Sequence, residues 1–172
     1  MKMFKRAGRA ALFDRKAFTE AFFDNDAAAD GAIVVAGVGA FSYVGILVWL
    51  GVLNRFSLSG LFEFVIAAVV SWLILSFTTW FAGTRLFGAG GRPQTMISMQ
   101  GLAALPLLLE MFGSFFGGIG LVWYLGVLVV ATREASDLEL KKAAVSVLIG
   151  FAAAVIIRAI IGVPFAIIGS LF

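Results

Sequence analysis

A chain of 172 residues that is 62% hydrophobic and 13% charged, with a mean hydropathy of +1.05, lies far from soluble globular domains, which carry about 25% charged residues. It has a net charge of +3 and neither cysteine nor histidine, which excludes disulfides, thiolate or imidazole ligation of metals and haem, and nucleophiles activated by histidine. What remains is an all-α integral membrane protein, with room for about five crossings of about 20 residues each and none for a second soluble domain.

Residues 1–26 form a segment of their own. On a helix turning about 100° per residue, Phe4, Ala7, Ala11, Phe18 and Phe22 share one side, and Lys2, Lys5, Arg6, Arg9, Lys16 and Glu20 share the other, with Arg15 among the apolar residues. This spacing predicts an amphipathic helix along the cytoplasmic membrane surface. There Lys2, Lys5, Arg6, Arg9, Arg15 and Lys16 would meet anionic lipid headgroups, each contributing about 1 kcal/mol. The same residues also suit a plain positive-inside anchor for the first crossing. The acidic run from Asp24 to Asp30 ends the segment and supplies capping acids to the next helix. A cleaved signal peptide is not expected, because about twenty charged and mixed residues follow the basic start before any apolar run, where an h-region would be needed.

Residues 27–172 read as a bundle of five transmembrane helices, marked out by where charge is absent. Nothing is charged from Gly31 to Asn54, Glu63 precedes a charge-free run to Thr84, and Pro93 to Thr132 is broken only by Glu110. After the polar connector Arg133 to Lys142, only Arg158 interrupts the apolar remainder. The predicted helices are 31–53, 63–84, 94–113, 118–133 and 141–162, with the third and fourth separated by a glycine-rich turn at Gly113, Gly117, Gly118 and Gly120. On this count Arg85, Arg92, Arg133, Lys141 and Lys142 fall on the same side as the basic N-terminal segment, and Arg55 falls alone on the other. The positive-inside rule then places the N-terminus in the cytoplasm and the C-terminus outside, in the cell (inner or plasma) membrane.

Two charges lie within predicted spans. Glu110 and Arg158 each sit about 24 Å along an outward-running helix, so an intramembrane ion pair between them is geometrically allowed. Separate snorkelling to the outer headgroups is the alternative. Pro106 should kink the third helix, and Pro164, following Gly162, should bend or end the fifth. Ala36 with Ala40, Gly113 with Gly117, and Gly150 with Ala154 are spacings that let helices approach closely. Leu86 to Arg92 lacks the Lys-Ser/Thr ending of a phosphate loop and reads as a turn. Trp49, Trp72, Trp80, Trp123 and Tyr124 read as interfacial anchors and packing rings.

The order of AFTEAFFDND, SWLILSFTTWFAGTRLFGAGGRPQTMISMQGLAALPLLL and GLVWYLGVLVVATREASDLELKKAAVSVLIGF resembles the Yip-one domain family, membrane proteins named for interacting with Ypt/Rab GTPases. The likeness covers residues 17–160. It is carried by the glycine loop Phe87 to Gly91, the segment Gly101 to Pro106, and Trp123-Tyr124 running on to Arg133-Glu134 and Lys142-Ala143. It implies a five-helix bundle with a cytoplasmic N-terminus, as in a short, prokaryotic-type member. The expected function is a non-enzymatic membrane scaffold or adaptor. Its partners would be membrane lipids and other membrane proteins or further copies of itself, without nucleic acid, cofactor or metal. Two alternatives stand beside it: an accessory subunit of a larger respiratory, photosynthetic or transport complex, and a small transporter or channel built around Glu110, Arg158 and Pro106.

Overall fold

The computed structural model of the chain describes residues 2–169, without the side chains of Arg158 and of residues 160–169. Every regular element among them is helical: α1 (Lys2–Ala11), α2 (Arg15–Phe22), α3 (Ala27–Trp49), α4 (Leu58–Phe87), α5 (Pro93–Leu102), α6 (Ser114–Ser136) and α7 (Leu140–Gly169), with 3-10 helices at Leu53–Arg55 and Leu105–Phe112. Four of these, α3, α4, α6 and α7, are long and apolar enough to cross a membrane. The pair α5 and Leu105–Phe112 passes the same test only as one broken element, bent by 41°.

α4, α6 and α7 exceed their predicted bounds, and α3 keeps the predicted length but begins and ends four residues earlier. Asp30 is taken into the first turn of α3, where a carboxylate meets the positive end of the helix dipole. Ser57 accepts a hydrogen bond from the Gly60 N–H and starts α4 before Glu63, and Gly88, with φ 63°, ends it in the left-handed conformation. The turn before α6 is made by Gly113 alone, with φ 102°. Gly117, Gly118 and Gly120 lie inside the helix and not in a turn. The backbone of α7 continues helically through Pro164 to Gly169, so the helix does not end at that proline.

Two predicted helices are divided. The N-terminal segment is a hairpin and not one helix: Phe13 takes a left-handed φ of 62°, and Asp14 starts α2 by accepting from the Lys16 N–H. The third predicted span does not simply kink at Pro106. A proline ring collides with the carbonyl four residues earlier and offers no N–H to it. That carbonyl belongs to Leu102, where α5 stops. The chain then tightens into i to i+3 bonding, with the Leu107 N–H donating to Ala104 O at 3.0 Å and the Gly113 N–H to Glu110 O at 3.1 Å.

Close contacts between backbones set the packing. A Cβ on Gly101 would lie 2.6 Å from Gly31 Cα and 2.9 Å from the Trp72 ring, so α3, α4 and α5 meet where side chains are missing. Further along, Gly45 abuts Met111, and Gly113 lies on the Trp49 ring. The broken element therefore runs beside α3 from Gly31 to Trp49. At the opposite end of α4, Gly150 of α7 lies against Thr79, whose neighbour Thr78 donates to Gly150 O at 3.1 Å. The hairpin packs against α3, α5, the Leu105–Phe112 helix and α6 and shares a single apolar core with them.

Gly101→Leu should destabilise the bundle by about 1–3 kcal/mol, the ordinary cost of overpacking. Gly37→Ala, where a Cβ meets nothing within 4 Å, should be tolerated. Thermal denaturation in detergent, followed by circular dichroism, measures both.

Candidate functional site

Two regions gather the polar groups that the apolar bundle cannot leave to chance. The first is the hairpin end. Ala7, Ala10, Ala17 and Phe18 are fully buried at 0% exposure, so this part of the apolar side faces protein and not lipid, while Phe4 and Phe22 remain exposed. With protein on both flanks of α1, Arg6 is also buried, at 8%. It is held by Asp24 at 2.7 Å and Asp30 at 3.4 Å. The expectation that Arg6 faces lipid headgroups is therefore corrected: a guanidinium taken out of water needs fixed acceptors, and the acidic run provides two of them. Arg9 bonds Asp14 at 2.7 Å and Glu20 at 2.9 Å, and Arg15 bonds Glu134 of α6 at 2.7 Å. Lys2, Lys5 and Lys16 stay exposed. The Trp123 indole N–H donates to Ala11 O at 2.8 Å, tying the hairpin to α6.

The second region is a cavity of about 700 Å³ among α3, α4, the Leu105–Phe112 helix, α6 and α7. It exists because the facing positions are small: Gly39 and Ser42 on α3, Ala67, Ala68 and Ser71 on α4, Gly117 and Gly118 on α6, and Ala154 on α7. Trp72, Leu75 and Tyr124 line it more deeply in the bundle, and Trp49, Gly113 and Ser114 line it at the end away from the hairpin. Ser42 Oγ and Trp72 Nε1 are buried without a hydrogen-bond partner. Glu110 is exposed and is the only charged group in the wall among the described residues.

A polar stripe leaves the cavity at Trp72 and follows one face of α4 through Ser76 and Thr79, whose hydroxyl oxygens also lack partners. Opposite it, Gln100 Nε2 donates to Thr132 Oγ1 at 3.1 Å in a buried bond, leaving Gln100 Oε1 unsatisfied.

The residues singled out from sequence separate into these two places. Glu110 belongs to the cavity wall. Arg158 comes one turn after Ala154 on α7, and its side chain lies outside the described residues, so the ion pair with Glu110 falls outside them too. Pro106 is buried at the helix break. The Pro164 side chain is outside the described residues. Sequence reasoning passed over Ser42, Ser76, Thr79, Gln100 and Thr132. Their signal was present as uncharged polar residues within apolar helices, with Ser76 and Thr79 three positions apart on one face of α4. Among the described residues, no group of three or more acidic side chains is placed to hold a metal.

No family model, curated protein or solved structure matches the chain. The apolar helices define it as an all-helical, multi-pass membrane protein.

The aspartates of the hairpin end give a pH dependence with a definite sign. The Arg6 guanidinium, and then the Asp26 N–H, hold the Asp24 carboxyl below its ordinary value, and Arg9 does the same for Asp14, helped by the Lys16 N–H. A depressed carboxylate contributes its full stability above the unfolded value of about 3.9 and loses it as pH falls through the lower folded value. The hairpin should therefore stay docked at neutral pH and loosen below about pH 4. Arg6→Met should loosen it already at pH 7. Spin labels on Lys5→Cys and Lys141→Cys, unambiguous in a chain without native cysteine, should give a narrow distance distribution when it is docked and a broad one when it is released.

Proposed function

We propose that this chain is a non-enzymatic scaffold or adaptor that crosses the cell membrane five times, with a cytoplasmic N-terminus and an outward C-terminus, and that organises partner proteins or lipids. The proposal keeps the likeness to the Yip-one domain family as its guide to architecture. One observation carries it: the N-terminal hairpin is locked to the bundle through Arg6, Asp24, Asp30, Arg15 and Glu134. Its free lysines are thereby held in a fixed place. Lys2, Lys5 and Lys16 stand exposed there. A chain that needed only an anchor for its first crossing would have no use for a buried arginine shared by two carboxylates, whose desolvation must be offset by well-made bonds. A rigid basic platform at the membrane surface suits anionic headgroups or an acidic partner surface, and it increases encounter rates as well as affinity.

The crossing count is supported by the path of the broken element, which follows α3 from Gly31 to Trp49 and so reaches the end away from the hairpin. Single cysteines labelled with an impermeant maleimide on intact cells test it. Lys5→Cys, Gly90→Cys and Asp137→Cys should be protected, and Asn54→Cys and Phe115→Cys should react. Labelling at both Gly90 and Asn54 from the same side would overturn the five-crossing reading. For the scaffold itself, mild-detergent purification should bring down a partner that is lost when Lys2, Lys5 and Lys16 are all changed to Glu and retained in Glu110→Gln.

A second reading, a small transporter, is favoured by the stripe of unpartnered polar atoms that continues from the cavity through Ser76 and Thr79. Solute flux into liposomes that disappears with Glu110→Gln would support it, and flux unchanged by that substitution would reject it.

A further inference from the structure

We propose that the intramembrane cavity is a binding site for an amphiphile with one apolar chain and an ammonium head, and that Glu110 receives the head. This does not rest on the scaffold reading. The volume of about 700 Å³ falls within the usual 300–1,000 Å³ of small-molecule sites. Along α3 the lining runs from Val35 to Leu50, about 22 Å of helix. The hydrocarbon depth of one leaflet, the reach of a single lipid chain, is about 15 Å. The cavity is therefore deep enough for such a chain to lie lengthwise.

The charge on the described part of the wall points to the head: the lining there contains one acid, Glu110, and no base. Glu110 projects from the 3-10 helix beside Gly117 of α6, at the level where Gly45 abuts Met111. It thus sits towards the open end, while the walls below it, down to Trp72 and Leu75, are mostly apolar. A carboxylate in that position favours a cationic hydrogen-bond donor over an anionic or apolar head.

The break at Leu102 makes the site possible. A continuous α-helix through residues 103–112 would present its side chains at a different rotation and pitch, and Glu110 would not meet Gly117. The small residues opposite keep the space empty of protein. At Gly118 a Cβ meets nothing within 4 Å, so a larger side chain there narrows the cavity without displacing a helix.

The test uses the full chain in phosphatidylcholine nanodiscs with three photoactivatable probes that share one chain length and carry a diazirine in the tail: an alkylamine, an alkyl sulfate and an alkyl alcohol. Cross-links are mapped by mass spectrometry. The amine should label the peptides containing Ser42 and Leu75 about tenfold more than the sulfate, the difference expected of one charge-assisted hydrogen bond. Glu110→Gln, which keeps the shape, should reduce amine labelling to the level of the alcohol. Gly118→Leu should reduce labelling of those peptides by every probe. Equal labelling by amine and sulfate, or labelling unchanged by Gly118→Leu, would overturn the proposal. A parallel arm replaces the alkylamine with tail-labelled lysophosphatidylethanolamine, a membrane aminolipid with one chain. Labelling of the same peptides would identify the occupant as a membrane aminolipid, labelling by the alkylamine alone would identify a free lipophilic amine, and labelling by neither would overturn the site.

Discussion

Where α3 and α5 cross, two glycines bring backbone against backbone, with the edge of Trp72 closing the gap. Most of the architecture follows from that approach. It sets α5 against α3, so that after Leu102, where Pro106 denies the helix its next bond, the chain continues along α3 towards Met111 and Trp49. The broken element then stands as a partition. One side of it receives the hairpin α1–α2, and the other side, with Leu107 and Glu110, forms the cavity wall. A side chain at Gly31 or Gly101 would separate the helices and move both regions together.

Much of the bundle can be read from the distribution of charge. A helix in hydrocarbon satisfies its own backbone, so an uncharged apolar run of sufficient length has few other ways to fold. This is why α3, α4, α6 and α7 stand within a few residues of their expected places. The ends are less legible, because a capping group such as Ser57 starts its helix before the charge that marks the span, and Asp30 is absorbed into the first turn of α3. Pro106 was legible as a disturbance. The position and kind of the disturbance follow from the carbonyl four residues upstream, which periodicity does not show.

The hairpin was the least legible part. An amphipathic pattern reports one apolar face and cannot tell whether that face meets lipid or protein. Here the residues that meet protein are Ala7, Ala10, Ala17 and Phe18, whereas Phe4, Leu12, Phe22 and Phe23 are exposed. Arg6 lies on the polar face and is nevertheless enclosed, because Asp24 and Asp30 reach it from beyond the turn. A pairing of residues so far apart in sequence leaves no periodic trace. The cavity left a faint one: the glycines, alanines and serines that line it are the residues that also make close helix packing, and only their arrangement in three dimensions separates a contact from a space.

The bonds between Arg15 and Glu134, and between Ala11 and Trp123, join residues 119 and 112 positions apart. At about 5–20 residues per second of synthesis, the hairpin emerges from the ribosome roughly 6–24 s before α6 exists to receive it. During that interval the hairpin lacks the α6 surface that it packs against, so it is seated only after α6 has been made.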